Sequence, residues 1–147
     1  MGKSYETLND ILVILFNDIM DIEEKAIISG DFCDISNNDM HIIEAVGNGE
    51  PQNMSTIAKR LSVTMGTLTT TMNSLVKKGY VVRQRSEEDR RVVYMSLTGK
   101  GKKAYAHHQK FHHEMIEAVV KDMSPEEEEV LVSSLSRLKG FFDKYEK

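Results

Sequence analysis

A mainly α-helical chain with one small β-hairpin and long helices toward both ends is the fold the sequence predicts, on three observations. Apolar residues recur at spacings of three and four over most of the 147 residues. Two short helical stretches stand only two residues apart ahead of Gly79. Between Tyr80 and Leu97 the composition turns β-branched and aromatic around a charged tip.

Taken in order, Leu8, Ile11, Leu12, Leu15, Ile19, Ile22 and Ala26 keep helical spacing, while Val13, Ile14 and Phe16 widen the apolar surface. The first helix is therefore expected to be buried on more than one side. Gly30 to Ile35 reads as a loop. Ser36-Asn37-Asn38-Asp39 follows as a capping-box-like start to a second helix through Ile42, Ile43 and Val46, which stops at Gly47-Asn48-Gly49-Glu50-Pro51. Helices over Ser55 to Leu61 and Thr64 to Lys78, separated by Ser62 and Val63, make a helix-turn-helix signature, with Gly79 suited to a left-handed cap.

Tyr80 to Arg85 and Arg91 to Leu97 then read as the two strands of a hairpin, completing a winged helix-turn-helix. After Thr98 a long helix carries Tyr105, His108, His112, Met115 and Val119 on one seam. Ser124 and Pro125 start a last helix, whose seam of Leu131, Leu135, Leu138, Phe142 and Tyr145 spans barely two heptads and must pack against something. The predicted organisation is one unit over 1–147, a winged-helix lobe over about 36–98 between helical dimerisation regions at about 5–30 and 99–145.

Bulk properties narrow the function. The single cysteine, Cys33, excludes an intrachain disulfide framework and a cysteine-rich zinc module. No apolar run approaches the roughly 20 residues that span a bilayer, and the N-terminal residues lack a signal-peptide pattern, so a cytoplasmic protein without membrane contact is expected. The net charge is −4, yet residues 55–103 hold eleven basic and three acidic side chains, a local +8 that leaves −12 elsewhere. A basic middle between acidic ends suits a lobe that grips phosphate on a body that repels it. No nucleophile motif, phosphate loop or paired-carboxylate site is present, and an enzyme is not expected.

If Leu68, Met72 and Leu75 mark the buried side of the Thr64 to Lys78 helix, then Gly66, Thr70, Asn73 and Lys77 lie roughly 140 to 200 degrees away, at about 100 degrees per residue. Thr64 opens the helix, and Thr67, Thr69 and Ser74 flank its outer face. Small residues, hydroxyls and an amide allow close approach to a groove and exchange hydrogen bonds with base edges. The threonine-rich run from Thr67 to Thr71 is a poor helix former, so something besides helix stability selects it. At the hairpin, Arg90 and Arg91 suit a narrow minor groove, Asp89 can pin one of them, and Arg83 and Arg85 are placed for phosphate.

The segments Ile57-Ala58-Lys59-Arg60-Leu61, Leu75 to Tyr80 and Asp89 to Thr98 together resemble the MarR family of winged-helix regulators, the wing pattern being carried by Asp89, Arg91, Leu97 and Thr98. The resemblance covers essentially the whole chain. It implies a homodimer joined through its terminal helices that binds palindromic double-stranded operators, usually as a repressor. Asp21 to Glu24, Asp34 to Ser36, Asp39 to His41, Arg85 to Val93 and Phe111-His112 are similar to FabT-type members. That similarity implies control of fatty-acid biosynthesis genes, with long-chain acyl-acyl carrier protein as corepressor and no metal cofactor.

Two alternatives for the effector stand beside it. His108 and His112, one turn apart, with Glu24 and His41, resemble the zinc site of AdcR-type members, although Met40 replaces the acid that group carries before its histidine, and Gln109, Lys110 and Phe111 interrupt its histidine run. A buried hydrogen-bonded cluster explains the same four residues. Redox sensing through Cys33 is the other alternative, but Asp31 and Asp34 lie on either side and repel a thiolate.

Overall fold

Helices begin and end where short polar side chains and glycines signal it. The structure, a computed structural model, describes residues 2–28 and 32–145. Ser36 accepts from the Asp39 N–H at 3.1 Å while its own N–H donates to the Asp39 carboxylate at 3.0 Å, the reciprocal box expected for the helix that follows. The loop expected from Gly30 starts outside the described residues, and its described part, Phe32 to Ile35, is a single turn followed by irregular chain.

The N-terminal segment is α1 (Gly2–Asp10), one π-helical stretch (Ile11–Leu15) and α2 (Phe16–Ile28), running on without a break. Burial on more than one side is not what this segment shows. Leu8 is 57% exposed, Val13 55% and Phe16 48%. The side chain of Ala26, expected on the same stripe, lies outside the described residues.

Next come α3 (Asn37–Val46), closed by Gly47 at φ 72, and a two-residue strand, β1 (Gln52–Asn53). Asn53 caps α4 (Met54–Leu61) by accepting from the Thr56 N–H at 2.7 Å. A tight turn with Ser62 in the left-handed region leads to Thr64, which caps α5 (Met65–Lys78). Gly79, at φ 87, ends that helix, and the Tyr80 N–H closes back onto the Leu75 carbonyl.

Strands β2 (Val81–Arg85) and β3 (Val93–Leu97) pair antiparallel, Val81 with Leu97 and Arg83 with Met95. The expected hairpin is one strand short, since β1 adds to the far edge of β3 in the order β1-β3-β2. Two residues behind a proline carry no alternation from which β1 could be read. Ile43, Ile57, Leu68, Met72, Leu75, Tyr80 and Met95 are fully enclosed and form the centre of the core between α3, α4, α5 and the sheet.

Thr98 locks the wing to α6 (Gly99–Val120). Its hydroxyl donates to the Gly79 carbonyl and accepts from the Gly101 N–H, while its own N–H donates to the Tyr80 carbonyl. That closeness requires Gly101, where a Cβ would fall 2.0 Å from the Tyr80 carbonyl oxygen. Finally α7 (Pro125–Asp143) opens with Pro125 in its first turn and Ser124 accepting from the Glu127 N–H. The chain gathers into two compact units, residues 1–109 and 110–147. Among the described residues no helix is long and apolar enough to cross a membrane.

Candidate nucleic-acid interface

Helix α5 buries Leu68, Met72 and Leu75 and leaves Gly66, Thr67, Thr69, Thr70, Asn73 and Lys77 exposed, the division expected from its periodicity. No atom lies within 4 Å of a Cβ built on Gly66, so its small size is not needed for packing. The hydroxyls of Thr69, Thr70 and Thr71 donate to the carbonyls of Met65, Gly66 and Thr67, one turn back. Their protons are spent on the backbone, and what remains outward is lone pairs and methyl groups. Thr64, also exposed, is the helix cap, its oxygen accepting the Thr67 N–H.

The wing meets α5 through alternation. Val81, Arg83 and Arg85 share one face of β2, and Val81 is in the core, so the two arginines continue the core-facing side beyond the core's edge. There Arg83 donates to the Asn73 side-chain oxygen at 2.5 Å. Arg83 thus stands against the helix and not simply out toward phosphate. Between helix and wing lies a cleft of about 580 Å³ whose lining includes Thr69, Asn73, Arg83, Arg85 and Arg91. Ser55 and Met65 also border it, and nothing in their sequence neighbourhood distinguishes them as site residues.

At the tip, Asp89 takes hold of Arg91. Its carboxylate accepts from Arg91 Nε at 3.2 Å, from a terminal Arg91 nitrogen at 3.3 Å and from the Arg91 backbone N–H at 3.1 Å. Arg91 holds the Asp89 carboxyl below the usual carboxylate range through these bonds, so the pin stays charged at neutral pH. Arg90 is exposed, and its carbonyl accepts from the Arg85 guanidinium at 3.2 Å.

Part of the basic excess serves the fold. Lys78 pairs with Asp39 at 3.6 Å, Arg60 donates to the Ala45 carbonyl, and Lys100 lies over the Tyr80 ring while pairing with Asp34. Arg83, Arg85, Arg90 and Arg91 of the cleft and wing, with Lys77 of α5, are exposed.

Glu24, His41, His108 and His112 are the four residues that the sequence groups as a candidate site. Glu24 and His41 are exposed. It is Glu23, one residue and about 100 degrees round the helix from Glu24, that turns inward. His108, fully enclosed, stands 3.0 Å from the Glu23 carboxylate and 2.7 Å from that of Glu44, which sequence reasoning missed altogether. His112, one turn further along α6, is half-buried. Cys33 is exposed beside Asp34, and Asp31, the other acid expected to flank it, lies outside the described residues.

The model of the MarR family matches residues 35–93. In a crystal structure with DNA, FabT of Streptococcus pneumoniae is 40% identical to this chain, with a TM-score of 0.87 over 96% of this chain and 99% of that one. SarZ of Staphylococcus aureus, an HTH-type transcriptional regulator, is 41% identical over 61 residues, 42% of this chain and 41% of its own. YhjH of Bacillus subtilis, also an HTH-type transcriptional regulator, is 30% identical over 74 residues, 50% of this chain and 42% of its own. The matches therefore span about two fifths of the length of these two curated relatives. With 40% identity along almost all of both chains and a family match from Ile35 to Val93, the chain belongs to the MarR family of winged-helix regulators.

Proposed function

We propose that the chain is a sequence-specific DNA-binding transcription regulator that acts as a homodimeric repressor of fatty-acid biosynthesis genes and responds to long-chain acyl-acyl carrier protein. The observation that carries the DNA reading is the arginine-lined cleft between α5 and the wing. A helix about 10–12 Å across fits a major groove about 12 Å wide. With α5 there and the Arg90–Arg91 tip in the adjacent minor groove, the intervening sugar-phosphate strand runs through the cleft, past Arg83, Arg85 and Arg91. The acidic remainder of the chain repels DNA elsewhere and so favours this one docking pose.

Exposed apolar side chains at both chain ends support self-association. Leu8, Ile11 and Phe16 near one end and Leu135 and Phe142 near the other are each about half exposed, a pattern that a second copy relieves. A two-fold dimer then presents two α5 helices to the two halves of a palindrome. The fatty-acid role rests on the FabT-type sequence matches and on the whole-chain similarity to FabT of Streptococcus pneumoniae.

The test is binding to a duplex that the protein itself selects from a random pool, measured with long-chain acyl-acyl carrier protein, with zinc, and with a chelator. Tighter binding with the acyl protein and indifference to zinc and chelator is the expected result. A response to zinc without one to the acyl protein overturns the fatty-acid reading in favour of a metal effector.

A further inference from the structure

We infer that Arg83 sets the polarity with which Asn73 meets a base. Asn73 then presents hydrogen-bond donors and selects an acceptor edge, guanine or thymine, over adenine and cytosine. The inference rests on the DNA-binding reading of α5 and adds to it the chemistry of one base position.

Asparagine carries one acceptor group and one donor group on a planar amide, and the two are interchanged by a half-turn of the side chain. Alone on a helix face it grips adenine with both, accepting from N6 and donating to N7. Arg83 removes that symmetry. A guanidinium has donors only, so the Asn73 atom that lies 2.5 Å from it is the oxygen, and the half-turn would set donor against donor. A bidentate grip on adenine needs oxygen and nitrogen side by side toward the base. Here one lone pair of the oxygen is taken by Arg83 on the β2 side, which biases the oxygen away from the base, while the NH2 takes no part in that bond.

Two further features act in the same direction. The Arg83 cation beside the amide repels the amino donors of adenine and cytosine and attracts O6 and N7 of guanine or O4 of thymine. The pair is also formed before DNA arrives, so the Asn73 rotamer is not ordered at the expense of binding. The alternation that carries Val81 into the core is what brings Arg83 to this place, which makes the wing strand a determinant of what the helix reads. Arg83 is thus a positioning residue for Asn73.

The experiment is selection from a randomised duplex pool by the full chain, its Asn73→Ala variant and its Arg83→Met variant, with thermal melting of each protein as a folding control. Arg83 and Asn73 are both exposed, so melting is expected to be unchanged. Asn73→Ala should erase the preference at one base pair of each half-site, where the parent selects guanine or thymine. Arg83→Met should move that same pair toward adenine by about tenfold while leaving the other positions as they were. If Arg83→Met weakens binding equally for all four bases there, or if the parent already selects adenine, the inference is overturned while the DNA-binding reading stands. If Asn73→Ala alters no base preference, Asn73 does not read a base and the inference is overturned; if the parent selects no duplex at all, the DNA-binding reading falls with it.

Discussion

The phenol of Tyr80 donates a 2.5 Å hydrogen bond to the carboxylate of Asp34, joining the residue just past the cap of α5 to the chain ahead of α3. The Tyr80 ring is fully buried, while Asp34 is exposed at the other end of the bond. That hydrogen bond, helped by Lys100, holds the Asp34 carboxyl below its usual range, and burial followed by Asp34 pushes the Tyr80 hydroxyl up.

Tyr80→Phe keeps the ring in the core and removes only the hydroxyl. In urea unfolding at pH 7 the cost should be about 1 kcal/mol, small because Asp34 faces solvent. A depressed Asp34 contributes stability that is present above its unfolded value near about 3.9 and is lost as pH falls through its lower folded value. A raised Tyr80 contributes below about 10 and loses that contribution as pH climbs further. The gap between parent and variant should therefore be flat from about pH 5 to 9 and close on the acid side. A gap that persists unchanged to pH 2 would show that the hydroxyl acts through something other than Asp34.

Glu23 and Glu24 are neighbours with opposite surroundings, one enclosed against His108 and the other in water. Glu23→Gln leaves the buried imidazole one anionic partner short and should destabilise the chain by about 2 kcal/mol. Glu24→Gln should stay within about 0.5 kcal/mol of the parent. Urea midpoints of the two variants decide the matter, and equal midpoints would mean that the contact between α2 and α6 is not as the structure has it.

That pair also marks where sequence reading stops. Signals confined to a few residues were legible: the box at Ser36 and Asp39, the cap at Gly79 and the start at Ser124 and Pro125 each satisfy backbone groups within one turn. The outward face of α5 was legible too, because three buried residues fix the phase of a helix. Deciding between Glu23 and Glu24 depends on which helix packs alongside, and a shift of one residue turns a side chain by about 100 degrees. Breadth of apolar surface on α1 and α2 announced burial but not by what, and in the single chain it is half exposed. The contact of Arg83 with Asn73 was within reach, since period-two alternation from Val81 puts Arg83 on the side toward the core.

Two glycines separate packing from recognition. Gly101→Ala would drive a methyl to 2.0 Å from the Tyr80 carbonyl oxygen, backbone that Thr98 also holds, and should cost about 2 kcal/mol or more. Gly66→Ala meets nothing within 4 Å and sits in the first turn of α5, where alanine is the better helix former by up to about 1 kcal/mol. Its melting temperature should rise while affinity for the selected duplex falls, because the added methyl stands between helix and groove floor. A variant that gains both stability and affinity would remove Gly66 from the interface.

Asp89→Ala puts the wing to a test in which charge and geometry predict opposite signs. Deleting an acid beside a polyanion lowers repulsion and, on charge alone, raises affinity for any duplex. Yet Asp89 holds Arg91 by its side chain at two points and by its backbone N–H, and Arg91 is otherwise 91% exposed with its side chain unsupported. Without the pin, Arg91 must be ordered at each binding event, at a cost of about 0.5–1.5 kcal/mol for a long side chain. Affinity for the selected duplex should therefore fall by about two- to tenfold in Asp89→Ala, with binding to random duplex equal or tighter. Arg91→Ala should fall at least as far, and the double variant no further than Arg91→Ala alone, because the acid has no purpose in the wing once its arginine is gone. Stronger binding of the selected duplex by Asp89→Ala would mean that Arg91 does not enter the groove as the wing presents it.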